Sequence, residues 1–190
     1  MRIAVIMSTY NGERYLKEQI ESILNQEDVE LELFIRDDGS SDNTVKILNG
    51  YISEKVHVYQ GTNKGYGRSF IDCLKIARDF DFYSFSDQDD FWEKEKLKKA
   101  VNLLMQKSKG ENLPAVYYSN VKVTDAELNH IRTTKLENRK QTLESVSMRR
   151  SIAGCTMVFN KRLWSEIFKG PISEDILSQG HDSFIISLCY

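Results

Sequence analysis

Four short apolar runs alternate with stretches of helical spacing, and the runs end in polar or acidic clusters. The first, Ile3-Ala4-Val5-Ile6-Met7, stops at Ser8-Thr9. A continuous apolar run of that length, bounded by turn formers, is the pattern of a strand buried on both faces. Tyr15, Leu16, Gln19, Ile20, Ile23 and Leu24 then recur at helical spacing, with Asn11 where a helix cap would stand. Leu31 to Ile35 is the second strand, ended by Asp37-Asp38-Gly39, and Ser41 or Asp42 caps a short helix carrying Val45, Ile47 and Leu48. Val56 to Tyr59 is the third strand. A loop from Gly61 to Gly67 leads into a helix with Phe70, Ile71, Leu74 and Ala77 on one stripe. Phe82 to Ser86 is the fourth strand and runs into Asp87-Gln88-Asp89-Asp90. A helix bearing Leu97, Val101, Leu104 and Met105 follows. Such alternation builds βαβ units, so the spacing predicts an α/β fold with a Rossmann-like, mainly parallel central sheet flanked by helices. Beyond Ala115 the pattern loosens. Val116 to Ser119 and Thr156 to Phe159 read as strands with a polar stretch between, and Ser183 to Tyr190 reads as an apolar helix.

At 190 residues the chain fits one domain with a real core. Its formal net charge of -2 lacks the strongly basic footprint of a nucleic-acid binder, although a local patch can still meet a polyanion. Cys73, Cys155 and Cys189 are odd in number and form no CxxC pair, which points to a reduced, cytoplasmic setting. The first residues are too short for a signal-peptide core, and no apolar run approaches the ~20 residues that span a bilayer. The last apolar helix stops without Gly, Pro or a basic last turn, so the natural protein is expected to continue past Tyr190.

In open α/β sheets, ligands bind outside the carboxyl ends of the strands. Four features fall there: Ser8-Thr9-Tyr10-Asn11, Asp37-Asp38-Gly39-Ser40, the loop containing Gly65, and Asp87-Gln88-Asp89-Asp90. Asp87 and Asp89 can point the same way in an extended turn, because side-chain direction repeats every second residue. Two such oxygen donors suit Mg²⁺ or Mn²⁺ completed by phosphate oxygens. The alternative is that Asp87 and Asp90 are turn and cap residues ahead of Trp92. Asp38 can accept hydrogen bonds from a base or ribose, or Asp37-Asp38-Gly39 can be an ordinary Asx-turn. Asn63-Lys64-Gly65-Tyr66-Gly67-Arg68 opens a helix whose N-terminus favours anions, with no P-loop pattern and an incomplete GxGxxG. Asp182 can take a proton from a substrate hydroxyl or can cap the last helix, and His181 is a metal ligand or a structural residue. Arg132, Lys135, Arg139, Lys140, Arg149 and Arg150 form a basic stretch, either a solvated face or a contact for an anionic, lipid-linked acceptor at a membrane surface.

Several of these stretches occur in order: Ser8-Thr9-Tyr10-Asn11-Gly12 with Ile23-Leu24-Asn25-Gln26, Asp37-Asp38-Gly39-Ser40-Ser41-Asp42, and Asn63-Lys64-Gly65. Ser86-Asp87-Gln88-Asp89-Asp90-Phe91-Trp92, Gly154-Cys155-Thr156-Met157 and His181-Asp182 complete the set. Together they closely resemble the family 2 glycosyltransferases, which have the nucleotide-diphospho-sugar transferase (GT-A) fold, and most of all the rhamnosyltransferase-type branch. The resemblance implies that Thr9 and Tyr10 border the nucleobase, Asp38 hydrogen-bonds it, and Arg68 stands near the diphosphate. It implies that Asp87 and Asp89 form a DxD element, Asp89 as direct ligand of Mn²⁺ or Mg²⁺ and Asp87 towards ribose or metal. Gly154, Cys155 and Thr156 would line the acceptor side, and Asp182 would be the base of an inverting displacement. The implied partners are a UDP- or dTDP-linked sugar and a glycan or lipid-linked acceptor. The implied setting is bacterial surface polysaccharide synthesis in the cytoplasm, with peripheral contact at the inner face of the membrane. Residues 1–190 would be a single catalytic domain, truncated at its C-terminus. Two rivals compete. A sugar nucleotidyltransferase would carry a long glycine-rich, basic loop after the first strand, where Ser8-Thr9-Tyr10-Asn11-Gly12 stands instead. A nucleotide-binding domain without turnover would lose nothing on Asp182→Asn.

Overall fold

The computed structural model describes residues 1–108, 113–135, 152–173, 177 and 180–188. A six-stranded sheet runs in the order β3-β2-β1-β4-β8-β5, from β3 (Val56–Gln60), β2 (Glu30–Asp37), β1 (Arg2–Thr9) and β4 (Phe82–Ser86) to β8 (Val158–Asn160) and β5 (Val116–Tyr117). The first four are mutually parallel, and β8 lies antiparallel between β4 and β5. The register pairs Thr9 with Asp37, Asp37 with Gln60, and Met7 with Ser86, so three acidic or polar loops leave one edge of the sheet together.

Each face of this sheet is covered, which is why the strands read as unbroken apolar runs. On one side Ile3, Val5 and Met7 pack with α1 (Leu16–Leu24), α2 (Thr44–Asn49) and α4 (Lys96–Ser108) through Ile20, Leu48 and Val101. On the other, Ala4, Ile6 and Phe85 meet α3 (Tyr66–Ile76), α5 (Lys161–Ile167) and α6 (His181–Ser187) through Phe70, Leu163 and Ile185. Each such fully buried aliphatic side chain contributes roughly 1.5–3 kcal/mol relative to exposure. The chain winds from β1 outward through β2 to β3. Through α3 it then returns to β4 on the other side of β1, a reversal that opens a crevice between the β1 and β4 ends.

Some details differ from the sequence reading. Asn11 is no helix cap. It stands at φ 48°, a left-handed conformation that Asn tolerates, and its Oδ1 accepts from the Ser41 N–H at 2.9 Å. The first helix begins only at Leu16, and Tyr15 holds the cap position without a side-chain bond. Asn43 occupies the α2 cap position, while Asp42 Oδ1 accepts from Thr44 N–H at 2.9 Å. Thr156 belongs to a 3₁₀ turn, Gly154–Thr156, that precedes β8. The polar stretch holds an exposed hairpin, β6 (Lys122–Thr124) with β7 (His130–Thr133). Met105 is largely exposed, because α4 turns Leu97, Ala100, Val101 and Leu104 inward. Gly180, not Asp182, caps the last helix. Arg139, Lys140, Arg149, Arg150, Cys189 and Tyr190 lie outside the described residues. No helix among the described residues is long and apolar enough to cross a membrane.

Candidate functional site

The ends of β1, β2 and β4 open onto one cleft of about 390 Å³. Its walls carry Thr9 and Tyr10 from β1, Asp38 from β2, Gly65 from the loop after β3, and Asp87 with Asp89 from β4. Five of the residues singled out in the sequence, Thr9, Tyr10, Asp38, Asp87 and Asp89, are thus brought together.

The end of β2 is built by carboxylates acting on backbone. Asp37 Oδ2 accepts from Gly39 N–H at 3.1 Å and Ser40 N–H at 3.0 Å, an Asx-turn that also takes the Ser40 hydroxyl and, at 3.2 Å, that of Thr9. Gly39 sits at φ 85°, where a side chain would be strained. Asp38, 2% exposed, is held differently. Its oxygens accept from Lys64 N–H at 3.0 Å and Gly65 N–H at 2.9 Å, and from the Arg36 guanidinium. Arg36 is buried as well and further donates to Ser69 Oγ at 2.9 Å and Thr62 O at 3.1 Å. A buried ion pair is stable only when such extra bonds satisfy it. The pair therefore fixes the Thr62-to-Gly65 loop as one wall of the cleft. In sequence, the one sign of Arg36's role is a lone cation ending an apolar strand beside two aspartates.

The acidic loop after β4 divides in two. Asp89 is exposed and faces the cleft. Asp87, Asp90 and Cys155 lie deeper and bring one donor atom each within 4.8 Å of one another. Burial and the neighbouring Asp90 and Asp89 push the Asp87 carboxyl up to about 6, against the Cys155 thiol and Lys96. Burial likewise pushes the Cys155 thiol up. Lys96 lies over the Trp92 ring, 3.1 Å from its centroid, and donates to Cys155 O at 2.6 Å. Burial brings its ammonium down to about 7. The Gly154–Thr156 turn is therefore fastened to the acidic loop rather than to the cleft wall. The donor set fits a hard divalent cation: two carboxylates, Asp87 and Asp89, face one space, and the crowded negative charge on Asp87 is what a cation would relieve. A protonated, soft thiol adds nothing to such a site.

On the far side, three glycines make room for the segment that carries Asp182. A Cβ on Gly67 would meet Leu177 O at 2.3 Å, one on Gly154 would meet His181 Nε2 at 2.5 Å, and one on Gly180 would meet Asp182 Oδ1 at 2.6 Å and the Tyr66 hydroxyl at 3.4 Å. Asp182 therefore crowds the same point as Tyr66, which lines the cleft. His181 is buried, stacked on Phe70 at 4.0 Å between centroids, and burial brings its imidazole down to about 3. Arg68 is not a cleft-lining residue. Its Nε donates to Asp72 Oδ1 at 2.9 Å, and Lys64 Nζ donates to Asp72 Oδ2 at 3.1 Å.

Known proteins resemble this chain in sequence and in fold. The dTDP-rhamnosyl transferase RfbG of Shigella flexneri is 32% identical over 95% of this chain and 64% of its own length. The poly(ribitol-phosphate) beta-N-acetylglucosaminyltransferase TarS of Staphylococcus aureus is 33% identical over 67% of this chain and 24% of its own. The crystal structure of TarS residues 1–349 in complex with UDP superposes with a TM-score of 0.75 at 25% identity, covering 100% of this chain and 55% of that one. The mannosyltransferase PcManGT from Pyrobaculum calidifontis, in complex with GDP-Man and Mn²⁺, shares the fold at a TM-score of 0.63 and 18% identity, over 89% of this chain and 47% of that one. The chain thus spans less than two thirds of the length of these relatives. Residues 4–167 match the model of Glycosyl transferase family 2. Sequence, sheet order and structural likeness agree, and the chain belongs to that family with the GT-A fold.

Proposed function

We propose that residues 1–190 form the catalytic domain of a metal-dependent, inverting glycosyltransferase of surface polysaccharide synthesis. The donor is a UDP- or dTDP-linked sugar, the acceptor a hydroxyl of a glycan or lipid-linked glycan, and the place of action the cytoplasmic face of the membrane. The observation that carries this reading is the facing of Asp87 and Asp89 against Thr9, Tyr10 and Asp38 across one cleft. RfbG is a dTDP-rhamnosyl transferase and TarS crystallises with UDP, which supports the choice of donors.

Tyr10, half exposed at the cleft mouth, offers its ring to the base, and Asp38 holds the wall against which the base lies while offering its remaining acceptor capacity. Asp87 and Asp89 would hold Mn²⁺ or Mg²⁺, which supplies Lewis-acid stabilisation of the departing diphosphate. Arg68 serves the diphosphate on leaving Asp72. Asp182, beside Tyr66, takes the proton of the acceptor hydroxyl as that oxygen bonds to the anomeric carbon. The bond from that carbon to the diphosphate breaks on the opposite face, and its electron pair leaves with the nucleoside diphosphate. Gly154, Cys155 and Thr156, buried between the acidic loop and His181, support the acceptor side from behind.

Isothermal titration with UDP and dTDP, each with and without Mn²⁺, tests the donor site. Binding of at least one nucleotide that requires Mn²⁺ and is lost in Asp89→Ala is the expected result. Asp182→Asn is expected to keep that binding while turnover falls by about 10²–10⁴. Turnover surviving the change would remove Asp182 as the base. Binding without any turnover in the wild type would favour a nucleotide-binding domain over an enzyme.

A further inference from the structure

The middle residue of the acidic loop, Gln88, is bound to the opposite side of the cleft. Tyr10 N–H donates to Gln88 Oε1 at 2.9 Å, and Gln88 Nε2 donates to Tyr10 O at 3.2 Å. One amide thus closes a two-bond bridge onto the backbone of a single residue, 78 positions away in sequence. The bridge has its own steric signature. A Cβ on Gly12 would lie 2.4 Å from Gln88 Oε1 and 2.7 Å from its Cδ, so the glycine leaves the space that the amide fills. Gln88, Tyr10, Asp87 and Asp89 all line the same cleft.

The geometry points to Gln88 as a positioning residue that couples nucleotide binding to metal binding. The inference rests on the donor-site reading proposed above and adds a part to it. Tyr10 presents its ring to the base, and Asp87 and Asp89 flank Gln88 on either side. A cation that orders the carboxylates must therefore order Gln88, and through its two bonds the Tyr10 backbone. Occupation of either subsite prepares the other, and by linkage the effect is reciprocal. The neutral amide suits this place, since it donates and accepts at once without adding to the negative charge of Asp87, Asp89 and Asp90.

The test is a titration of the 190-residue chain with UDP, and with dTDP in parallel, at zero and saturating Mn²⁺. It uses wild type, Gln88→Met, Gly12→Ala and the double variant. Gln88→Met keeps the length and loses both bonds, while Gly12→Ala keeps the amide and displaces it. Each single variant is expected to bind nucleotide about tenfold more weakly with Mn²⁺, the loss of two ordinary hydrogen bonds. Each should also shrink the affinity ratio between the two Mn²⁺ conditions, which a general loss of stability would leave unchanged. The double variant is expected to be no weaker than either single one, since both act through one bridge. Unchanged affinity and Mn²⁺ dependence in Gln88→Met, or additive losses in the double variant, would overturn the inference and leave the donor site standing. A wild type that binds neither nucleotide would remove the reading of the cleft, and this inference with it.

Discussion

His181 shows how one residue can be set by its neighbours rather than by its own chemistry. Among the described residues neither ring nitrogen has a hydrogen-bond partner, and the ring lies against Phe70, Phe85 and Gly154. It is an aromatic packing element that the fold keeps neutral. The sign of its pH effect follows. The unfolded chain takes up a proton below about 6.5, whereas the folded chain resists it until about 3. Stability is therefore fully present above 6.5 and is lost as pH falls through that window, by roughly 2 kcal/mol between pH 7 and pH 5. Asp87 works with the opposite sign, since its carboxyl is raised to about 6 and acidification relieves its charge. His181→Leu removes the first effect and keeps the second. Urea denaturation at pH 7 and pH 5 should show wild type losing stability relative to the variant on acidification. Parallel changes in the two proteins would mean that His181 is hydrated or partnered in solution.

At the scale of elements, the buried face of α1 is partly polar, and for a reason. Gln19, Ser22 and Gln26 recur at helical spacing among Leu16, Ile20 and Ile23 and all are buried. Ser22 Oγ accepts from Trp92 N–H at 3.0 Å, and Gln26 accepts from Leu97 N–H at 3.0 Å while donating to Glu93 O at 2.8 Å. The helix and the turn just after it, which carries Gln26, thus fasten the chain that leaves the acidic loop. Gln26→Leu would leave the Leu97 N–H without its partner, while Glu93 O still accepts from Lys96 N–H at 3.0 Å, and should cost about 1–3 kcal/mol in denaturant unfolding. It should also weaken Mn²⁺ binding, measured by titration. A neutral effect on both would mean that water replaces the amide. These elements also show what the sequence made legible. The unbroken apolar runs disclosed the parallel strands, because burial on two faces leaves a mark that needs no knowledge of neighbours. The convergence of Thr9, Tyr10, Asp38, Asp87 and Asp89 followed from strand direction alone. The hairpin β6–β7 did not show itself, because all four residues of β7 are exposed and carry no alternation. Asn11 looked like a cap because the residue types that cap helices also adopt left-handed turns. Gln88 was hidden for another reason: its partner, the Tyr10 backbone, is set by loop packing, and sequence spacing does not encode that.

The molecule as a whole joins two unlike halves across the cleft. The donor half, at the ends of β1, β2 and β4, is held by hydrogen bonds that Asp37, Asp38 and Gln88 accept from backbone N–H groups and that Arg36 donates to Asp38. Among the described residues, the half that carries Asp182 packs by contact: Leu177 against Gly67, His181 against Gly154, and Ile185 and Ile186 in the core beside Phe70 and Leu74. Gly67 lies inside α3, where alanine would ordinarily favour the helix by about 1 kcal/mol. The contact decides otherwise, because a Cβ there would stand 2.3 Å from the Leu177 carbonyl oxygen, and backbone cannot swing aside as a side chain can. Gly67→Ala should therefore be destabilising on balance, with overpacking costing about 1–3 kcal/mol. Relief comes from pushing the Leu177-to-Asp182 segment away from α3, which moves the base and leaves the hydrogen-bonded donor half in place. Turnover is expected to fall at least tenfold, as a displaced general base loses much of its contribution. Nucleotide affinity with Mn²⁺ should stay within about threefold of wild type, well under the 1.4 kcal/mol of a tenfold change. Equal losses of affinity and turnover would show that the two halves move as one body. In that case Asp182 is positioned by the donor half, and the contact-held half has no independent role in catalysis.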